Sequence, residues 1–266
     1  MLAWRELERA LQAGTAVLIS VAQVQGSGPR EVGAWMAVTC SGSLIGTIGG
    51  GQLEFDAIAR AHELLDRAEP SDEVCRYALG PSLGQCCGGV VHLRFEWLET
   101  SAGLRERLAG SEALLSVALF GGGHVGRAII TLLGRLPAAV FWVDSREEIF
   151  PAALPDNVSA EHSEPVHAAV KDLAPGSRVL IMSFSHAEDL DVVAACLRRQ
   201  RERRDLPFIG LIGSKSKWAT FRHRLEARGF SEAEIARVTC PIGVSGITGK
   251  QPEVIAIAVV AQLLGG

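Results

Sequence analysis

Three spaced glycines, Gly121, Gly123 and Gly126, form a Gly-x-Gly-x-x-Gly pattern that is typical of loops binding phosphate. The pattern follows an apolar stretch that predicts a strand, and it opens a stretch with helical periodicity. Glycines permit a tight turn and close approach to a diphosphate, and a helix N-terminus supplies N–H donors. Asp144 suits ribose hydroxyls, whereas its neighbour Arg146 suits a phosphate or an ion pair with a following glutamate. The pattern predicts an anion site, and a glycine-rich connection that binds nothing is the alternative.

A second stretch sets two adjacent thiols among glycines. Gln85, Cys86 and Cys87 lie on a predicted loop between two predicted strands. Adjacent cysteines rarely close a disulfide without strain, and no Cys-x-x-Cys or Cys/His pairing completes a four-ligand zinc site. Soft-metal or sulfur chemistry is left, since two soft ligands and an amide are offered together. Small buried residues at a tight turn are the alternative, because cysteine also behaves as a small hydrophobic residue.

Other loops offer weaker signals. The glycine run over residues 46–51 precedes a predicted helix and predicts a second anion site, although it lacks the Lys-Ser/Thr end of a Walker motif. His124 lies inside the first glycine pattern and faces either the crevice or solvent. His186 follows a predicted strand, where doubly wound folds place ligands, and Ser214 either helps to bind an anion or caps a helix. The candidate binding residues are Gly49, Gly50, Gly51, Gln85, Cys86, Cys87, Gly121, Gly123, His124, Gly126, Asp144, His186 and Ser214.

The elements that carry these loops indicate an α/β chain with two domains. A small α/β domain is predicted over residues 1–98, a polar linker over 99–113, and a Rossmann-like domain over 114–266. In the second domain, strands alternate with helices, which is the pattern of a doubly wound parallel sheet. The predicted strands are 16–24, 34–40, 44–48, 73–79, 90–98, 114–120, 138–143, 178–183 and 208–212.

Composition excludes several classes of protein. Lysine and arginine number 26 and aspartate and glutamate 30, so the net charge of -4 argues against binding to nucleic acid. The longest apolar stretch, Val254 to Leu264, is too short to span a membrane and predicts a buried helix. The charged start of the chain is unlike a signal peptide, so we expect a cytoplasmic protein with reduced cysteines.

Taken together and in this order, the motifs resemble the XdhC/CoxI family, the xanthine dehydrogenase accessory proteins. A Rossmann pattern alone is unspecific, but the glycine and cysteine segment with Gln85, joined to the other motifs, is specific. The resemblance spans nearly the whole chain. The matching stretches are residues 26–30, 33–36, 46–54, 79–89, 120–126, 143–146, 209–214, 241–243 and 252–256.

This resemblance implies a chaperone for molybdenum cofactor rather than an enzyme. Such a protein binds and protects the cofactor, promotes its sulfuration by a cysteine desulfurase and delivers it to the molybdenum-binding large subunit of xanthine dehydrogenase, commonly as a homodimer. Carbon monoxide dehydrogenase or another molybdenum hydroxylase is the alternative client. Molybdenum cofactor carries a phosphate, a pterin and a dithiolene-bound metal. On this hypothesis the glycine loops hold the phosphate, and Gln85, Cys86 and Cys87 lie near the pterin or the molybdenum.

An NAD(P)-dependent oxidoreductase is the competing hypothesis. Gly121, Gly123, Gly126 and Asp144 would then hold the dinucleotide, and His186 would act as acid or base. This reading leaves the whole first domain unexplained, and the sequence shows no coherent pair of nucleophile and base. A protein that senses a nucleotide and changes its affinity for a partner is a third hypothesis.

Overall fold

The computed structural model describes residues 3–68, 70–79, 89–104, 108 and 115–265. These residues form two compact units, one that ends with Leu108 and one that begins with Leu115, and the described residues of the predicted linker belong to the first unit. The bounds of the linker, 99–113, fall partly outside the described residues and stay a prediction.

The first unit is a five-stranded antiparallel sheet with a helix on each face. Its elements are α1 (Ala3–Ala13), β1 (Ala16–Gln25), β2 (Trp35–Thr39), β3 (Leu44–Gly46), α2 (Gly51–Arg67), β4 (Asp72–Ala78) and β5 (Val90–Leu98). The strand order is β3-β2-β1-β5-β4. Because alternate residues of a strand face opposite sides, β1 contributes to two cores. Ile19 packs towards α2 and its buried residue Leu53, whereas Leu18 packs towards α1 and its buried residue Leu7.

The direction of the strands brings the loops of interest to one end of this sheet. The strands β1, β3 and β4 end there, and β2 and β5 begin there, since each pair is antiparallel. The loop after β1, the loop after β3 and the connection from β4 to β5 therefore share one edge. We call this edge the loop end of the first unit.

The second unit is a six-stranded parallel sheet in the order β11-β10-β9-β6-β7-β8. Its strands are β6 (Leu115–Phe120), β7 (Ala138–Asp144), β8 (Val158–His162), β9 (Arg178–Ile181), β10 (Phe208–Leu211) and β11 (Val238–Thr239). Its helices are α3 (His124–Leu133), α4 (His186–Arg203), α5 (Lys215–Ala227), α6 (Glu232–Ile235) and α7 (Pro252–Leu264), with 3-10 helices at Glu147–Ile149 and Val166–Asp172. This strand order is that of a Rossmann fold, whose order reverses between β6 and β9.

The parallel sheet is covered on both faces. Residues of α3 and α7 pack on one face around Trp142, and residues of α4 and α5 pack on the other around Phe120. The fold class predicted from the sequence is therefore confirmed. The strands β8 and β11 were not predicted, because both are short edge strands with few buried side chains. Among the described helices, none is both long and apolar enough to cross a membrane.

Candidate functional site

At the loop end of the first unit, the glycine loop after β3 packs against the loop after β1. A Cβ atom built on Gly49 would lie 2.6 Å from Cβ of Pro29 and 3.2 Å from Cγ of Arg30. Gly49 also has a φ of 118°, a conformation that favours glycine. The two loops can approach this closely only because position 49 carries no side chain.

Glu54 of α2 holds the glycine loop in place. Its Oε2 accepts hydrogen bonds from Oγ1 of Thr47 at 2.6 Å and from the N–H groups of Ile48 at 3.0 Å and Gly50 at 3.1 Å. Burial acts to raise the pKa of Glu54, but these hydrogen bonds outweigh it and hold that pKa below its ordinary value. The predicted anion site at Gly49, Gly50 and Gly51 thus contains the protein's own carboxylate. An external phosphate would have to share these donors or displace it.

The connection from Leu79 to Gly89, which carries Gln85, Cys86 and Cys87, is here called the cysteine segment. It starts and finishes at the same loop end. The N–H of Leu79 donates to the carbonyl of Gly89 at 2.8 Å, which closes the connection between β4 and β5. A Cβ atom on Gly89 would lie 2.2 Å from the carbonyl oxygen of Ser27, so Gly89 packs directly on the loop after β1. Residues Gln85, Cys86 and Cys87 themselves lie outside the described residues.

A cavity of about 160 Å³ opens between the loop after β1, the end of β3 and the start of α1. Its lining includes Trp4, Arg30, Trp35 and Thr47. The guanidinium of Arg30 bonds to the exposed carboxylate of Glu31 at 2.9 Å. Two indole rings and a guanidinium give the cavity walls that suit a flat, polar and anionic molecule.

In the second unit, the glycine pattern forms the turn between β6 and α3. Gly121 has a φ of 121°, and a Cβ atom there would lie 2.0 Å from the carbonyl oxygen of Met182. A Cβ on Gly126 would lie 2.2 Å from the carbonyl oxygen of Gly121, so this glycine lets α3 approach the turn. By contrast, no atom lies within 4 Å of a Cβ built on Gly123, which precedes α3. The turn therefore leaves no room for a side chain at Gly121 or Gly126, whereas a side chain at Gly123 would meet no other atom.

Asp144 at the end of β7 is bound by the protein itself. Its Oδ2 accepts the N–H of Gly122 at 2.6 Å and Nη2 of Arg146 at 2.9 Å, and its Oδ1 accepts N and Nε of Arg146, each at 2.9 Å. Burial acts to raise the pKa of Asp144, but the bonds from Arg146 and Gly122 outweigh it and keep that pKa below its ordinary value. The expected ion pair of Arg146 with a following glutamate is wrong, because the structure pairs Arg146 with Asp144 instead.

The loop after β9 joins Arg146 at the same crevice. The Cζ atom of Arg146 lies 4.4 Å from the centre of the Phe184 ring, and Phe184 is 66% exposed. Glu188 in the first turn of α4 accepts Oγ of Ser145 at 2.8 Å and the N–H of Phe184 at 3.1 Å. The structure therefore brings the ends of β6, β7 and β9 together, as expected at the switch point of this fold.

A buried ion pair connects the loop after β10 to the loop after β9. Nζ of Lys217 lies 2.7 Å from Oδ2 of Asp189, and their side chains are 11% and 3% exposed. Nζ of Lys217 also donates to the carbonyl of Ile212, and Ser214 caps α5 by accepting the N–H of Lys217. Cys240 lies near this pair, and burial raises the pKa of its thiol to about 11. That thiol is protonated at neutral pH and is a weak nucleophile.

The two candidate histidines lie at the starts of helices. His124 is exposed at the start of α3. His186 is exposed at the start of α4, where its ring meets that of Phe221 edge-on at 6.3 Å. Neither imidazole forms a hydrogen bond or ion pair with any residue that the structure describes, so neither has the orienting partner of a general base.

Several important residues were missed from the sequence. Glu54, Phe184, Glu188 and Asp189 were not identified as parts of a site. Glu188 had a readable signal, since Ser185 three residues earlier gives the spacing of a helix cap. The contacts of Glu54 and Asp189 with the preceding loops had no such signal, because each depends on how a loop folds back.

Comparison with known proteins gives two matches to family models. Residues 117–263 match the model of the XdhC Rossmann domain, and residues 10–78 match the model of the XdhC and CoxI family. YqeB of Escherichia coli (strain K12), described as uncharacterized, is 30% identical over 252 residues. These cover 93% of this chain and 42% of YqeB, so the chain spans less than half the length of that relative.

One solved structure shows the same fold. A crystal structure of a xanthine dehydrogenase from Bacillus halodurans covers 99% of this chain and 95% of its own, with 19% identity and a TM-score of 0.77. At this identity the likeness shows a common fold. A Rossmann-fold NAD(P)-binding family protein from Shigella flexneri covers 57% of this chain and 87% of its own, with 17% identity and a TM-score of 0.39. That score is too low to relate the two folds.

Proposed function

The chain belongs to the XdhC and CoxI family, and from this premise we propose that it is an accessory protein in the maturation of xanthine dehydrogenase. The resemblance found in the sequence is thereby confirmed. In this proposal the protein binds molybdenum cofactor as cargo, protects it, supports its sulfuration by a cysteine desulfurase and delivers it to the molybdenum subunit of the enzyme. A homodimer and a cytoplasmic location are further parts of the proposal.

The observation that carries the proposal is the convergence of three loops at one end of the first unit. The loop after β1, the glycine loop after β3 and both ends of the cysteine segment meet there, and the first two of these loops line the cavity together with Trp4 and Trp35. This unit is also the part of the chain that an oxidoreductase leaves unexplained.

The cavity suits the organic part of the cargo. Molybdenum cofactor, when bound in its client enzyme, supplies a redox-active metal with a terminal sulfide on a phosphorylated pterin. The indole walls fit the pterin, and the guanidinium of Arg30 fits the phosphate. Since Glu54 already takes the N–H groups of Ile48 and Gly50, we assign the phosphate to Arg30, where it would displace or share the exposed carboxylate of Glu31, and give the glycine loop the role of shaping the cavity.

The metal end of the cargo requires soft ligands. Within the described part of the chain, no cluster of three or more His, Cys, Asp or Glu side chains is able to hold a metal ion. Cys86 and Cys87, which lie between the described ends at Leu79 and Gly89, are therefore the proposed contacts near molybdenum, with Gln85 beside them. Their part in binding stays a prediction.

Anaerobic titration of the purified full chain with molybdenum cofactor tests the proposal. Bound pterin is released, oxidised and measured by fluorescence, and the loaded protein is then mixed with cofactor-free xanthine dehydrogenase. We expect stoichiometric pterin and activation of the enzyme. The double variant Cys86→Ser/Cys87→Ser should lose cofactor retention or transfer while it stays folded.

Two matched controls accompany this experiment. Cys40→Ser removes an exposed free thiol of the same unit and should leave retention and transfer unchanged. Arg30→Ala should weaken pterin binding, whereas Arg94→Ala, which changes an arginine in the interior of β5, should not. Full reconstitution by the double cysteine variant would refute the role of the thiols. A wild-type chain that retains no pterin would refute the proposed function.

A further inference from the structure

In the second unit, Arg146 covers the carboxylate that a Rossmann crevice uses to bind the ribose of a dinucleotide. In such crevices the acidic residue after the second strand binds the ribose hydroxyls, and a nearby arginine accommodates a 2′-phosphate. Asp144 holds the acidic position, but it is 1% exposed and accepts hydrogen bonds from Gly122 and Arg146 on both oxygens. A free ribose diol could reach it only by displacing a charge-assisted bidentate pair.

Arg146 retains donors for a second anion. It pairs with Asp144 through Nε and Nη2, and its Nη1 forms no hydrogen bond with the residues that the structure describes. Its side chain is 34% exposed. The one other carboxylate acting on Arg146, that of Glu188, is held by Ser145 and by the N–H of Phe184. The guanidinium is therefore a partly exposed cation whose orientation is fixed by Asp144 and whose Nη1 can bind a further anion.

Phe184 adds a surface for a flat ring. It is 66% exposed, and its ring stacks with the guanidinium of Arg146 at 4.4 Å. Leaving a large aromatic ring in water has a cost that a stacked nucleobase would remove. A cationic edge and an open aromatic ring at the switch point are the two features that a phosphorylated nucleotide needs.

We propose that the crevice of the second unit binds a nucleotide whose ribose carries a phosphate, that Arg146 recognises this phosphate, and that Phe184 contacts the base. The crevice selects against nucleotides with a free ribose diol, because Arg146 covers the carboxylate that such a diol would use. This proposal does not depend on the binding of molybdenum cofactor by the first unit.

Calorimetric titration of the full chain tests the proposal with two probes that differ only in the 2′-phosphate, adenosine 2′,5′-bisphosphate and AMP. We expect the bisphosphate to bind about tenfold more tightly, which is the effect of one charge-assisted contact. Arg146→Ala should abolish the difference, and Phe184→Leu should weaken both probes alike. Arg135→Ala, an exposed arginine after α3, should change neither.

Because Arg146→Ala leaves Asp144 without its partner, Arg146→Lys serves as a second variant, and thermal unfolding shows that each variant is folded. Lysine keeps a charge beside Asp144 but has no second edge, so it too should lose the preference for the bisphosphate. Equal affinity for the two probes, or a preference that survives in both folded variants, overturns the proposal. Failure of both probes to bind overturns the proposal as well. It is also overturned if inorganic phosphate competes for the site as strongly as the bisphosphate does.

Discussion

At the level of single residues, Glu54 determines the shape of the glycine loop in the first unit. We expect Glu54→Gln to lower the free energy of unfolding by about 1 kcal/mol at pH 7, because an ionised acceptor of several hydrogen bonds is replaced by a neutral one. Urea denaturation measures this loss. Glu63→Gln, which changes an exposed glutamate of the same helix, should cost less than about 0.5 kcal/mol.

The same contact has a predictable dependence on pH. The folded-state pKa of Glu54 lies below its ordinary value of 4.5, so its contribution to stability is fully present above pH 4.5. It is lost as the pH falls through the lowered pKa. The stability difference between the wild type and Glu54→Gln should therefore be constant at neutral pH and shrink below pH 4.5. A difference that grows on acidification contradicts this assignment.

Gly121 and Gly123 form a matched pair of residues in the second unit. A side chain at position 121 would meet the carbonyl of Met182 at 2.0 Å in a conformation with φ of 121°. Gly121→Ala should therefore destabilise the fold by about 3 kcal/mol through clash and backbone strain. Gly123→Ala meets no atom within 4 Å at a φ of -66° and should cost about 1 kcal/mol or less. Similar melting temperatures for the two variants would count against the described turn.

At the level of elements, the ion pair between Lys217 and Asp189 connects the starts of α4 and α5 to the ends of β9 and β10. Asp189 also accepts the N–H of Ser183, and Lys217 donates to Ile212. Lys217→Ala leaves a buried carboxylate without its partner, so we expect a loss of about 3–5 kcal/mol in unfolding free energy. Thermal unfolding monitored by circular dichroism measures it.

An exposed ion pair between the same two helices is the control. Arg228, which follows α5, lies 2.7 Å from Asp191 of α4, and both side chains are 40% exposed. Arg228→Ala should cost less than about 1 kcal/mol, since exposed pairs contribute little. Equal losses for the buried and exposed pairs would show that burial does not control the contribution of this contact.

At the level of the whole molecule, the two units have separate cores and separate candidate sites. Arg30→Ala should weaken the binding of molybdenum cofactor about tenfold and leave that of adenosine 2′,5′-bisphosphate unchanged, whereas Arg146→Ala should do the reverse. Pterin fluorescence and calorimetry on both variants measure the two affinities. Parallel losses in both variants would refute the assignment of one ligand to each unit.

The fold class, the family and most of the strands of both units could be predicted from the sequence. These depend on local patterns: the period of apolar residues, the glycine spacing at Gly121 and Gly126, and a characteristic order of motifs. The edge strands β8 and β11 were not predicted, because short exposed strands have little periodicity of apolar residues.

The sequence did not predict which donors and acceptors of the candidate sites are already occupied, because this depends on the folded structure. Asp144 looked available to a ribose, yet Arg146, two residues later, folds back onto it. The glycine loop before α2 looked open to an anion, yet Glu54 occupies its N–H groups. Spacing along the chain predicts where a backbone can turn, whereas the pairing of charges depends on side-chain rotamers and on contacts between segments that meet only in the folded protein.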